Sequence, residues 1–159
     1  MFTEELLESW MIDRVKEQNA ISSIGFKVVD RIGAYNPDPN DPDAIAQFVR
    51  ISPACLVGVG ADNWQADKDS QGFIQTFHYT VIVDIITRGG WEHRDTSDNA
   101  NALHRLCKQA LRGQAFGPND GSTAGLNVLR YRGRTPYPLD GGLLLIQQEY
   151  QFVVIDEEL

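Results

Sequence analysis

The scarcities of this chain bound its chemistry before any motif does. No apolar run approaches the roughly 20 residues needed to span a bilayer. The opening MFTEELLESW lacks the basic region and apolar core of a signal peptide. The expectation is a cytosolic protein, or one assembled from cytosol. Only two cysteines occur, Cys55 and Cys107, without metal-motif spacing, and they read as reduced core residues. His78, His93 and His104 fall on an expected strand, loop and helix without HExxH-type spacing, and read as surface or interface polar groups. No serine sits in a GxSxG elbow and no Cys-His pair stands at a recognisable spacing, so nucleophilic catalysis has no support. Positive charge is short as well: 14 Lys and Arg against 22 Asp and Glu leave a net charge of −8. That excludes a broad phosphate-gripping surface, but not a protein past which DNA slides.

Two further patterns fall short of a site. Gly58-x-Gly60 follows an expected strand, but position 63 is Asn and no small apolar helix face comes after it. Glycine serves there where a strand twists or an overlying side chain needs room. Asp38, Asn40, Asp41 and Asp43 cluster carboxylates, yet prolines intervene and the EF-hand glycine and terminal Glu are missing, so a solvated loop is the reading.

What is present suits one domain, residues 1–159, with a sizeable core: 42% of residues are hydrophobic and 23% charged. The spacing predicts a helix over 4–19, capped by Thr3, with Leu7, Met11 and Val15 on its buried stripe and Leu6 and Trp10 widening it. A strand follows at 26–32. After the acidic proline loop at 36–43, a short helix capped by Asp43 runs through Arg50 and is ended by Ser52-Pro53. A buried strand is expected at 54–61, a polar connection at 62–72, and a second clear helix from Asp95 or Thr96 to Arg112, stopped by Gly113. Strands at 126–132 and 142–155 close the chain, joined by a proline-stiffened loop at 133–141. The order α, β, short α, β, β, α, β, β, mostly without crossover helices, gives an α+β fold. It has a mostly antiparallel sheet of long strands, with two main helices packed on one side.

Residues 73–88 (FIQTFHYTVIVDIITR) carry the strongest signal. A strand of about sixteen residues spans on the order of 50 Å, whereas a chain this long folds to a globule roughly 40 Å across. Such a strand has to bend or project, and a projecting edge calls for a second subunit. Phe73, Phe77 and Tyr79 on its apolar face are therefore candidate interface residues. Arg130, Arg132 and Arg134 alternate along one strand and fall to one side, fit for an acidic neighbour or phosphate, or simply for solvent. Arg105, Lys108 and Arg112 form a similar row near a helix C-terminus, where cations need no further reason. Trp64 and Trp91 stand in polar, glycine-flanked loops, where a large ring is costly unless it folds back or meets a partner.

These segments together resemble the tail terminator proteins of long-tailed phages, most closely the branch in Mu-like phages and prophages. The resemblance rests on the N-terminal helix, SPACLVGVGA (52–61), FHYTVIVDIITRGG (77–90), LHRLCKQALRGQ (103–114), NVLRYRG (127–133) and LLLIQQEYQFVVI (143–155). It spans nearly the whole chain by order and character. The resemblance implies a non-enzymatic subunit without cofactor or metal, typically assembled as a homo-hexameric ring on the tail tube protein. Such a ring ends tube polymerisation and presents the surface for the head-tail connector. It also implies assembly in the bacterial host cytoplasm, residence in the virion tail, DNA passing through without specific binding, and no membrane contact. A neck or head-completion subunit shares the small size and acidic charge, and an enzyme would need a pocket of convergent titratable groups.

Overall fold

The computed structural model describes residues 3–35, 40–66, 75–88, 100–116 and 128–156. Its elements are α1 (Glu4–Ala20), β1 (Val28–Arg31), α2 (Pro42–Ile51), β2 (Ala54–Ala66), β3 (Gln75–Arg88), α3 (Ala100–Leu111), β4 (Arg130–Leu139) and β5 (Leu143–Asp156). The order matches the pattern read from the sequence, and the fold is α+β. One sheet holds all five strands in the order β1-β2-β3-β5-β4. Only the β1–β2 pair is parallel, because α2 carries the chain back between them; the remaining pairs are antiparallel.

Local chemistry sets the helix ends. The Thr3 hydroxyl accepts from the Leu6 N–H (3.2 Å), and Glu4 and Glu5 occupy the first turn against the helix dipole. Leu7, Met11 and Val15 are fully buried, as their spacing demands. Ile12 completes the stripe; Leu6, expected there, stays 51% exposed. At the far end the Asn19 carboxamide accepts from the Phe26 N–H (2.6 Å) and donates to its carbonyl (3.0 Å), tying the helix to the strand that follows. In α2 the cap is Asp41, which accepts from the Asp43 N–H (2.9 Å), and not Asp43 itself. Pro42 takes the first helical position, where its missing N–H costs nothing, so the cap moves one residue earlier than Pro42.

The sheet has two differently covered faces. Cys55 and Val57 of β2, Val81, Val83 and Ile85 of β3, and Ile146, Tyr150 and Phe152 of β5 point to one side, where α1 and α3 close the larger core. On the other side Ala54, Leu56, Ile86 and Leu143 pack with Ala44, Phe48 and Ile51 of α2 into a smaller cluster. Ile86, on the same face of β3 as Asp84, is buried because α2 covers that end.

The long strand is not an edge, which overturns the expectation that it offers an unpaired edge. β3 pairs with β2 from Ile86 to Gln75, with an irregularity opposite Thr80, and with β5 at every position from Gln75↔Asp156 to Arg88↔Leu143. Its excess length is matched by two neighbours of 13 and 14 residues, so β3 is flanked on both sides over most of its length. β2 accordingly runs past the expected boundary: after an irregularity between Val59 and Asp62, the polar residues 62–66 continue the ladder to Ala66↔Gln75. Cross-strand pairing overrides the poor strand propensity of Asp and Asn.

β4 likewise absorbs most of the expected loop at 133–141, and the turn into β5 shrinks to Asp140–Gly142, with Gly141 and Gly142 at positive φ (76° and 73°). Pro136 and Pro138 are tolerated because β4 is an edge strand. Two residues apart, they withhold N–H groups from the same, outer side and so blunt it.

Leu103 is fully buried between α3 and the larger core. Leu103→Ala is expected to lower unfolding free energy by about 2–5 kcal/mol, read as a reduced urea midpoint at unchanged slope.

Candidate subunit interface

Phe73 and Trp91 lie outside the described residues. Trp64 and Phe77 are direct partners in the β2–β3 ladder, so Trp64 belongs to a strand and not to a loop. Tyr79 is half-buried against the larger core, so its own subunit already uses part of that ring.

Arg130, Arg132 and Arg134 are all exposed, but the structure does not bring them into one row. The register shifts between Tyr131 and Gly133, so Arg132 is the extra residue of a bulge. Gly133, at φ 142°, supplies the backbone conformation that a side chain would strain. Arg130 therefore stands opposite Gln151, whereas Arg134 stands opposite Gln148, on the face covered by α3. Gly133 itself was the available signal, since a lone glycine inside a strand pattern points to a bulge.

On that face Arg134 joins the α3 row. Arg134, Lys108 and Arg105 all lie close enough to His104 to disfavour its charged form. The Lys108 ammonium sits 4.4 Å from the centre of the Tyr131 ring, and that ring meets Tyr150 edge-on at 5.6 Å. Arg112 follows on α3, lining a shallow depression with Arg105, Lys108 and Gln109. A chain of net charge −8 thus concentrates four cations on one exposed seam between α3 and β4.

Beneath the seam runs a buried polar chain. His104 is not a surface group: only 6% of it is exposed. The Gln148 amide nitrogen meets His104 Nδ1 (2.7 Å) and donates to the His104 carbonyl (3.0 Å), while the Tyr150 hydroxyl donates to Gln148 Oε1 (2.8 Å). With the amide donating, Nδ1 accepts and the ring proton sits on Nε2. Burial, reinforced by Arg134, Lys108 and Arg105, lowers the His104 pKa to about 4. Its position was legible in principle, because Ala100, His104, Cys107 and Leu111 share the helix's apolar stripe. His78, on the opposite face, meets the Gln151 amide at 3.0 Å, and His93 lies outside the described residues.

The remaining sequence candidates resolve into packing. A Cβ on Gly58 would come within 2.9 Å of the Ile32 side chain, and one on Gly60 within 3.0 Å of the Thr80 carbonyl, both mid-strand and not at a strand-to-helix turn. Cys55 and Cys107 are free, buried and 3.6 Å apart at sulfur. Among the described residues no group of three or more His, Cys, Asp or Glu is placed to hold a metal ion, and no helix is long and apolar enough to cross a membrane.

One open ladder edge is partly closed from within. β1 covers β2 only from Ala54 to Val57. Just beyond, the Val59 N–H donates to Glu8 Oε1 of α1 (3.2 Å), and Glu8 Oε2 lies 3.7 Å from Arg31 Nε.

No family profile and no curated protein matches the chain. Among solved structures, a chain from the virion of native gene transfer agent (GTA) particle shares the fold, with a TM-score of 0.50 and 15% identity over 91% of this chain and 94% of that one.

A histidine kept neutral in the folded state but free to charge when unfolded subtracts stability as pH falls. The His104 contribution is expected to be intact above its unfolded pKa near 6.5, to decline by about 1–3 kcal/mol as pH drops toward 4, and to level off below. His104→Leu should flatten the fall in urea midpoint between pH 7 and 5, whatever its cost at pH 7. An unchanged slope would contradict the assignment.

Proposed function

We propose that this chain is a structural subunit of a phage tail, a tail terminator. Copies assemble into a ring, hexameric by the family resemblance, on the end of the tail tube. There they stop tube growth and offer the surface that the head-tail connector joins. Assembly takes place in the bacterial host cytoplasm, and the ring stays in the virion tail. No cofactor and no catalytic step enter this reading.

The observation that carries the proposal is the fold likeness, nearly end to end in both chains, to a chain from a virion. Two features favour a ring. An exposed basic seam on an acidic chain suits a head-to-tail contact, in which unlike surfaces of successive copies meet. The net charge of −8 suits a lumen through which DNA slides, since an acidic wall repels phosphate and does not trap it.

The decisive experiment adds purified protein to tail tube protein as it polymerises, with tube lengths measured by electron microscopy. Capping is expected to arrest growth and leave a ring at one tube end. Tubes that grow unaffected, with the protein bound instead to the portal, would point to a neck or head-completion subunit and overturn the proposal.

Charge reversal separates the two groups of arginines. Arg105→Glu with Arg134→Glu should weaken ring formation in light scattering by tenfold or more in concentration, and Arg130→Glu with Arg132→Glu should weaken it less. Equal effects would remove the seam from the contact.

A further inference from the structure

The sheet face opposite α1 and α3 is only partly covered, and beside α2 it opens into a cavity of about 510 Å³. This lies within the range of pockets that hold ligands or anchoring side chains. Its walls are apolar and aromatic, with Phe48 from α2, Leu56, Ile86 and Leu145 from the sheet, and Tyr35 and Tyr137 from the segments that flank it. Tyr137 remains 44% exposed, so its ring is reachable from solvent at the rim.

Into this apolar floor the sheet places one carboxylate. Asp84 of β3 stands between Leu56 of β2 and Gln147 of β5, and its Oδ1 accepts from the Gln147 amide at 3.1 Å. A carboxylate so surrounded is costly unless a cation or several donors meet it. Asp140 and Asn40 add polar atoms to the lining, and among the described residues that line it there is no Lys, Arg or His.

We infer that this cavity receives an arginine side chain, flanked by apolar residues, from another protein chain. The guanidinium offers a flat fork of donors to the Asp84 carboxylate, and its face and stem suit the Tyr35 and Tyr137 rings and the apolar walls. Charge complementarity selects the occupant, because among the described residues the lining holds two ionisable carboxyls, Asp84 and Asp140, and no cation. Burial holds the Asp84 carboxyl above its ordinary acidity range although the Gln147 hydrogen bond pulls the other way, which is the condition a bound cation relieves. The inference stands on the cavity alone and is independent of tube capping.

The test titrates the isotope-labelled protein with acetyl-Leu-Arg-Leu-amide while following backbone amide resonances, beside the same peptide carrying citrulline, which keeps the shape and loses the charge. The arginine peptide is expected to shift the amides of Asp84, Ile86, Leu145 and Gln147 and to bind at least tenfold more tightly than the citrulline peptide. Asp84→Asn should shrink that preference to less than about twofold. Tyr137→Ala, a change at the exposed rim, should weaken the arginine peptide several-fold and serves equally if Asp84→Asn fails to fold. Equal binding of the two peptides, or shifts confined to other surfaces, overturns the inference. Binding of butylguanidine as tight as the peptide also overturns it, since the site would then belong to small guanidino compounds.

Discussion

Hydrogen bonding along both edges of β3 is the constraint around which the other elements are arranged. A 14-residue strand buried at the centre of a sheet needs a partner for every N–H and C=O. β2 and β5 meet most of that need from opposite sides, one adjacent in sequence and the other from far along the chain. Once those three strands are matched in length, the helices have one broad apolar face to cover, and α1 and α3 cover it. The ten residues of α2 are too few to do the same on the reverse face. The smaller cluster and the cavity beside it follow from that mismatch.

The bulge at Arg132 shows how one inserted residue redistributes charge. Without it, the three arginines would share a face and the α3 cations would stand apart. With it, Arg134 moves to the helix side and joins Arg105 and Lys108 over His104. The histidine stays neutral because burial, and then the charges of Arg134, Lys108 and Arg105, disfavour a positive ring, while the Gln148 amide at Nδ1 is itself a donor.

Much of the fold was legible in the sequence, and the places where it was not have physical causes. Periodicity placed α1 and its buried Leu7, Met11 and Val15, and the apolar stretches placed the cores of β2, β3 and β5. Strand ends were misread where pairing, a non-local property, decided them: residues 62–66 look like loop until β3 lies beside them, and Pro136 and Pro138 look like loop until β4 is known to be an edge. The central position of β3 could not be read at all, because pattern reports which faces are apolar and says nothing about which edges are paired. Of the candidate interface residues, the arginines were correctly found on an exposed strand but wrongly aligned. The basic seam emerged only when two elements remote in sequence were set side by side.

Glu8 draws the last line of the sheet. Its carboxylate takes the first N–H of β2 that β1 leaves beyond its reach and, through Arg31, ties that spot to the end of β1. An edge strand is a template that accepts any chain able to match it, and here an acidic side chain from the protein's own first helix occupies the template's next position. The first helix thereby fixes where that border of the sheet stops taking strands, a limit set by one charged side chain and not by the end of β2.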